Sequence, residues 1–263
     1  MAEKIPVIVI DAGHGGSDSG AVYKGRKEKD DNLRLGLAVG KKLAADYVVS
    51  VKHTRTTDIF EKPSKKAQDS DNYGAKLLVS LHRNSSLPTA NGYETLVWSN
   101  VGIKKELADK LNKRMAELGF RNRGTKVRKD LTILSKPDTP AVLLETGFIS
   151  NEKDNKLFDS KFEEIVNIIV LSIAEVMELE KKKKVQNISE IFKNGDYNNK
   201  VRTTSNLNVR AGRGTDYKIL GTLPKGTVVE ALYILSKDGT PWASIDYGKT
   251  VGYISLKYAE PVE

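Results

Sequence analysis

The first half of the chain alternates short apolar runs with segments of helical periodicity. Apolar residues recur at helical spacing over 31–45, 102–118 and 162–177. Apolar runs of strand length occupy 5–10, 47–53, 76–81, 93–98, 131–134 and 141–145. Strands that alternate with helices predict an α/β domain with a twisted, mostly parallel sheet and helices on both faces.

The pattern changes towards the C-terminus. Residues 181–199 are polar and begin with a run of lysines, which is typical of a linker. Beyond them, short strand-like pieces separated by glycines occupy 207–210, 219–223, 228–235, 242–245 and 251–254. Strands at this spacing predict a small all-β barrel. We therefore expect one domain at 1–180, a linker at 181–199 and a second domain at 200–263.

Composition limits the chemistry that is available. The chain has 263 residues, of which 39% are hydrophobic, and it has no cysteine, so a metal site must use His, Asp or Glu side chains. No run approaches the 18 or so apolar residues of a membrane span. The N-terminal apolar run is too short for a signal peptide. We expect synthesis in the cytoplasm without a leader, or else a form from which a leader has been removed, and action on the outer side of the cell.

The formal net charge is +9, and basic residues concentrate at Arg121, Arg123, Lys126, Arg128 and Lys129. A basic surface suits a polyanion, such as a nucleic acid, an acidic membrane or an anionic bacterial wall. A solvated charged face is the simpler interpretation of charge alone. Charge therefore does not identify a partner.

Two of the three histidines follow predicted strands. His14 comes after the first strand within a glycine-rich loop, and His82 comes after the third. Sites in α/β sheets form at the carboxyl ends of strands, and a catalytic zinc ion takes three His or carboxylate ligands and one water. Glu28, Asp30 and Asp31 are candidates for the third ligand, and spacing does not choose among them. The alternative is that each histidine is a hydrogen-bonded core residue.

Glu145 ends the apolar run at 141–144. Desolvation at the end of a buried strand raises the pKa of a carboxyl group towards that of a general base. A helix cap or a loop salt bridge is the alternative role for Glu145. His53 lies within a predicted strand and matches no motif, so we interpret it as structural.

Residues 5–180 resemble the zinc-dependent N-acetylmuramoyl-L-alanine amidases of autolysins and phage endolysins, often called amidase family three. The resemblance rests on five blocks in the family's order, namely Ile8-Val9-Ile10-Asp11-Ala12-Gly13-His14-Gly15-Gly16, Glu28-Lys29-Asp30, Thr54-Arg55-Thr56, Val79-Ser80-Leu81-His82-Arg83-Asn84 and Leu143-Leu144-Glu145-Thr146-Gly147-Phe148. The family often has an arginine and an Ala-Asn pair before the third strand, whereas this chain has Lys65-Lys66-Ala67-Gln68.

The resemblance implies that His14, Glu28 and His82 bind zinc and that Glu145 is catalytic. It also implies hydrolysis of the amide between N-acetylmuramic acid and L-alanine by a zinc-activated water. In this mechanism Glu145 takes the proton of the water and passes it to the leaving amine.

Residues 201–260 resemble bacterial Src-homology-3-like domains. The resemblance rests on Leu207-Asn208-Val209-Arg210-Ala211-Gly212, on Ile219-Leu220-Gly221-Thr222-Leu223 and on Gly252-Tyr253-Ile254. It implies a fold more strongly than a ligand. Beside an amidase, we expect a groove for peptidoglycan peptides or other wall polymers.

Several functions remain open at this point. We expect a monomeric phage endolysin that binds peptidoglycan, and possible further partners are anionic wall polymers. The alternatives are a secreted autolysin with the same chemistry, a non-catalytic wall-binding protein and a zinc carboxypeptidase. No sequence pattern supports nucleic-acid binding.

Overall fold

The computed structural model of the chain describes residues 5–182 and 188–262. These residues form two compact units, which separate between Lys182 and Lys183. None of the helices in the described ranges is long and apolar enough to cross a membrane.

The N-terminal unit is built on a six-stranded sheet. Its strands, in spatial order, are β4 (Ser50–His53), β1 (Val7–Ala12), β5 (Leu77–Asn84), β8 (Ala141–Phe148), β6 (Tyr93–Val97) and β7 (Asn122–Val127). All neighbours in this sheet are parallel except β6 and β8, which are antiparallel. A short hairpin, β2 (Val22–Tyr23) and β3 (Arg26–Lys27), lies outside the sheet. The prediction of a mostly parallel sheet is confirmed.

The helices of this unit are α1 (Glu28–Asp46), α2 (Pro63–Asn72), α3 (Gly102–Leu118), α4 (Thr132–Ser135), α5 (Glu152–Ser160) and α6 (Phe162–Val176). Successive strand residues point to opposite faces, so each side of the sheet has its own core. Ile8 and Ile10 pack in the core that α1, α3 and α6 cover. Val9 packs in the other core, with Ile133 and Leu134 of α4.

Two expectations about local structure were incomplete or wrong. Residues 131–134 were predicted as a strand, but residues from Thr132 form α4. Short apolar runs do not distinguish a strand from a helix, and either conformation buries Ile133 and Leu134. The sequence reading also missed β7, whose residues are largely polar because it is the edge strand of the sheet.

The C-terminal unit is an antiparallel sheet of seven strands. In spatial order these are β11 (Ile219–Leu223), β10 (Leu207–Arg210), β14 (Thr250–Ser255), β13 (Thr240–Tyr247), β12 (Val228–Lys237), β9 (Gly195–Thr203) and β15 (Ala259–Pro261). A short helix, α7 (Ile188–Ile191), and a 3-10 turn at Leu256–Tyr258 complete the unit. The five predicted strands correspond to β10–β14, and the all-β fold is confirmed.

The predicted linker at 181–199 differs from the structure in its second part. Both α7 and the start of β9 lie within it, and Phe192 is buried in the core of the C-terminal unit. Ile188, Ile191 and Phe192 follow helical spacing and pack on the small sheet, which a polar linker would not do. Residues 183–187, which include two of the lysines, lie outside the described residues.

Candidate active site

The loop after β1 presents His14 at the carboxyl end of the sheet. His14 has φ 60°, and Gly15 and Gly16 that follow also have positive φ. A side chain at Gly13 would place its Cβ 2.3 Å from the imidazole ring of His82, so only glycine allows the two histidines to approach. The ring centroids of His14 and His82 are 4.9 Å apart.

Glu28 is the first residue of α1. The other two candidates for the third ligand, Asp30 and Asp31, do not lie beside both imidazoles. Asp30 is exposed, and the carboxylate of Asp31 binds the guanidinium groups of Arg26 and Arg83. Glu28 alone of the three lies beside both imidazoles, since the hairpin β2–β3 and the first turn of α1 direct its side chain to them.

The three side chains converge on one point. Oε1 of Glu28 lies 3.2 Å from Nε2 of His14 and 2.9 Å from Nδ1 of His82. One ligand atom from each residue lies within 4.8 Å of the other two, close enough to hold a metal ion. Two imidazole nitrogens and one carboxylate oxygen fit a divalent transition metal that keeps an open coordination position.

Charge in this cluster is strongly coupled. Burial alone would lower the pKa of His14, but the hydrogen bond and charge of Glu28, together with Asp18, raise it to about 9. Burial would raise the pKa of Glu28, yet the two imidazoles hold that pKa far below its usual range. Contact with Glu28 and Asp18 thus favours the protonated form of His14, and a divalent cation would compete with that proton.

Asp18 is a functional neighbour that sequence reasoning did not single out. Its Oδ2 accepts from Nδ1 of His14 at 2.8 Å, and its Oδ1 accepts from the backbone N–H of Gly20 at 3.0 Å. Such a carboxylate fixes the ring and leaves the other nitrogen free for a metal.

Glu145 lies on β8, directly opposite His82 on β5 and opposite Glu94 on β6. Burial raises the pKa of Glu145 to about 7, the charge of His82 opposes this, and the charges of Glu28 and Glu94 add to it. Its Oε2 is shielded from solvent and has no hydrogen-bond partner among the described residues. A carboxyl group with a pKa near neutrality and a free oxygen can exchange a proton with a bound water.

Glu94, which lies opposite Glu145, accepts hydrogen bonds at both of its carboxylate oxygens. Its Oε1 accepts from Asn84 Nδ2 at 2.9 Å and its Oε2 from Arg123 Nε at 2.9 Å. Both oxygens therefore have donors, which hold Glu94 in place beside Glu145. Sequence reasoning missed this pair because β7, which supplies Arg123, was not predicted.

A buried ion pair between Lys66 and Asp11 lies next to the loop that carries His14. Nζ of Lys66 lies 2.8 Å from Oδ1 of Asp11 and donates to the carbonyl of Ala12 at 3.0 Å. Arg55 donates to the carbonyls of Ala12 and Gly13. These contacts fix the chain immediately before His14. Lys66 lies in the stretch where this chain departs from the pattern of the family that it resembles, and it contacts the residues that precede His14.

A cleft of about 270 Å³ opens beside the two histidines. Phe60 and Pro63 form one wall, and Leu131 and Thr132 form another. His53 lies outside this cleft, on β4, where its ring packs over Gly40.

Each of the two units matches a known protein family. A family model described as N-acetylmuramoyl-L-alanine amidase matches residues 8–175, and one described as bacterial SH3 domain matches residues 205–260. The endolysin of Bacillus phage SPP1 is 37% identical over 185 residues, covering 67% of this chain and 68% of that protein. The sporulation-specific N-acetylmuramoyl-L-alanine amidase of Bacillus subtilis is 34% identical, covering 59% of this chain and 61% of that protein.

Solved structures show the same fold. The catalytic domain of the N-acetylmuramoyl-L-alanine amidase CwlV from Paenibacillus polymyxa superposes with a TM-score of 0.62 at 33% identity, covering 67% of this chain and all of that one. An N-acetylmuramoyl-L-alanine amidase from Clostridium difficile 630 gives a TM-score of 0.63 at 28% identity, covering 67% of this chain and 98% of that one.

The fold and the His–Glu–His cluster define an α/β amidase with an SH3-like second domain. The chain belongs to the N-acetylmuramoyl-L-alanine amidase family, and its second unit is a bacterial SH3 domain.

Proposed function

We propose that this protein is a zinc-dependent hydrolase that cleaves the amide between N-acetylmuramic acid and L-alanine in peptidoglycan. The observation that supports it most is the convergence of His14, Glu28 and His82 within 4.8 Å. On the strand next to His82, Oε2 of Glu145 has no hydrogen-bond partner in the described part of the chain. His14, Glu28 and His82 would hold zinc, and Glu145 would perform the proton transfer.

Zinc, when bound, supplies Lewis-acid polarisation of the scissile carbonyl and lowers the pKa of water. The protein's own groups supply the rest. Glu145 accepts the proton of the attacking water and donates it to the alanine amine as that amine departs. Asp18 holds the ring of His14 in the orientation that leaves Nε2 free. Burial, aided by the charges of Glu28 and Glu94, raises the pKa of Glu145 to about 7, which allows it to return the proton.

Metal dependence tests the ligand assignment. Chelation should abolish hydrolysis of purified walls, and added Zn²⁺ should restore it while elemental analysis finds one zinc per chain. His14→Ala should lose bound zinc, whereas His53→Ala should keep it. Full turnover by metal-free protein would contradict the proposal.

The role of Glu145 is tested by Glu145→Gln, which preserves shape and removes the titrating proton. We expect zinc binding to be retained and turnover to fall by about 10²-fold or more. Glu152→Gln, an exposed carboxyl on α5, is the matched control. Unchanged wall lysis by Glu145→Gln would refute the role.

Product analysis separates this reaction from that of a zinc carboxypeptidase. The amidase frees the amino group of L-alanine, and a carboxypeptidase frees a terminal amino acid. Mass spectrometry of digested muropeptides therefore decides between the two enzyme classes.

The C-terminal unit is proposed to bind cell-wall peptides. A groove of about 290 Å³ in this unit is lined by polar side chains around the buried Trp242 and the half-exposed Tyr258, with Arg210 and Lys257 at its edges. Aromatic faces with hydrogen-bonding groups beside them suit an extended peptide. The isolated unit should be retained on purified walls, and Tyr258→Ala should weaken retention. No retention of the isolated unit would count against this role.

The biological role that we favour is that of a phage endolysin. The support for it is the 37% identity to the endolysin of Bacillus phage SPP1. A secreted autolysin with the same chemistry is the alternative, because bacterial amidases also match over the same domain. Genomic context would discriminate, since lysis genes of a phage lie together.

A further inference from the structure

The exposed position of the apolar Phe60 side chain is not explained by packing in a hydrophobic core. Its ring is 46% exposed and belongs to neither core of the N-terminal unit. It lines the cleft that His14 and His82 also line. An exposed aromatic ring beside the reacting centre is a candidate surface for a ligand.

The position of Phe60 is fixed by the histidine loop. A Cβ at Gly16 would lie 2.7 Å from the backbone nitrogen of Phe60, and the N–H of Gly16 donates to Oδ1 of Asp58 at 2.7 Å. Lys29 Nζ binds the other oxygen of Asp58 at 2.6 Å and the carbonyl of Gly16 at 2.9 Å. The segment that holds Phe60 therefore cannot move without moving the loop of His14.

The polar groups of the same cleft indicate what the ring faces. Four carboxylates line it, those of Asp11, Asp18, Glu61 and Asp130. Asp11 is paired with Lys66 and Asp18 with His14, which leaves Glu61 and Asp130 to face a ligand. Carboxylate oxygens accept hydrogen bonds from hydroxyl groups, whereas they repel another carboxylate. A sugar offers hydroxyl donors at its edge and an apolar C–H face, but the stem peptide carries acidic groups. The cleft thus matches a pyranose ring better than an acidic peptide.

From this geometry we infer that Phe60 is a substrate-binding residue whose ring stacks on the C–H face of the muramoyl sugar, with Glu61 and Asp130 accepting from its hydroxyl and acetamido N–H groups. This inference rests on the proposed amidase function. It places the glycan side of the scissile amide in the cleft between Phe60 and Thr132, and the peptide side away from it.

Ile59 provides a matched control. It precedes Phe60, is 48% exposed, and does not line the cleft. The experiment compares Phe60→Ala, Phe60→Trp and Ile59→Ala in the full-length, zinc-loaded protein. Each is assayed on a soluble N-acetylmuramoyl peptide and on the same peptide with a lactoyl group in place of the muramoyl residue.

We expect Phe60→Ala to lower kcat/KM on the muramoyl peptide by about threefold to tenfold, mainly through KM, as the loss of one aromatic stacking contact predicts. Phe60→Trp should retain activity, Ile59→Ala should match the wild type, and all variants should bind one zinc. On the lactoyl peptide, Phe60→Ala and the wild type should be equal.

Two results would overturn the inference. Equal activity of Phe60→Ala and Ile59→Ala on the muramoyl peptide would show that the ring does not touch substrate. An equal loss on both substrates would place the ring against the peptide instead. If the wild type cleaves neither substrate at the lactyl–alanine amide, the proposed function fails, and binding of free N-acetylmuramic acid to the wild type and to Phe60→Ala, measured by NMR, still tests the sugar contact.

Discussion

The buried ion pair of Lys66 with Asp11 can be tested by Lys66→Met. Both side chains are almost fully buried, with 4% and 2% of their surfaces exposed, and Nζ lies 2.8 Å from Oδ1. Methionine fills nearly the same volume, so the substitution removes charge and hydrogen bonds without a large cavity. It leaves the carboxylate of Asp11 buried without a cation.

Removing one partner of a buried ion pair costs about 3–5 kcal/mol. Asp11 keeps two donors after the change, because Thr54 Oγ1 and Ser80 Oγ lie 2.7 and 2.6 Å from its carboxylate oxygens. We therefore expect a loss at the lower end of that range, about 3 kcal/mol of the free energy of unfolding.

The loss should depend on pH in a defined direction. Burial alone would raise the pKa of Asp11, but Lys66 and the two hydroxyls lower it, so in the wild type this group stabilises the fold above its unfolded pKa and loses that effect in acid. Without Lys66 the folded pKa rises above the unfolded one. The difference in the free energy of unfolding between the wild type and Lys66→Met should therefore widen from pH 4 to pH 8.

The assay is denaturant unfolding followed by tryptophan fluorescence. The chain has two tryptophans, one in each unit, so a Trp242→Phe background lets Trp98 report on the N-terminal unit alone. Lys65→Met is the control, since Lys65 is exposed. Adding Asp11→Asn to Lys66→Met should recover part of the loss. A midpoint for Lys66→Met equal to that of Lys65→Met would refute the reasoning.

Three further predictions concern the metal centre. Asp18→Asn should weaken zinc binding about 10–100-fold in a chelator competition, whereas the exposed Asp30→Asn should not change it. Zinc must displace the proton of His14, whose pKa is raised to about 9. Apparent zinc affinity should therefore fall about tenfold for each unit that the pH drops below 9. An affinity that does not change between pH 6 and pH 8 would contradict this prediction. Gly13→Ala should displace the ring of His82 and abolish zinc binding without unfolding the protein, as circular dichroism would show.

The sequence by itself determined the fold class and indicated the residues of the candidate site. Apolar runs that end in polar residues located β1, β5 and β8, and the histidines and Glu145 follow from those strand ends, since parallel strands bring their carboxyl ends to one edge. The change from helical to strand periodicity separated the two units. These features are local patterns, which a linear reading detects.

Only the tertiary structure decided the features that depend on distant neighbours. Spacing does not distinguish Glu28, Asp30 and Asp31, and in the sequence only the resemblance named Glu28. The structure supplies the physical reason, since α1 begins at Glu28 after the β2–β3 hairpin and places this side chain beside both imidazoles. The antiparallel placement of β6, the edge strand β7 and the contacts of Lys66 likewise have no local signal. Each is fixed by packing between segments far apart in the chain, which no periodicity in a single segment encodes.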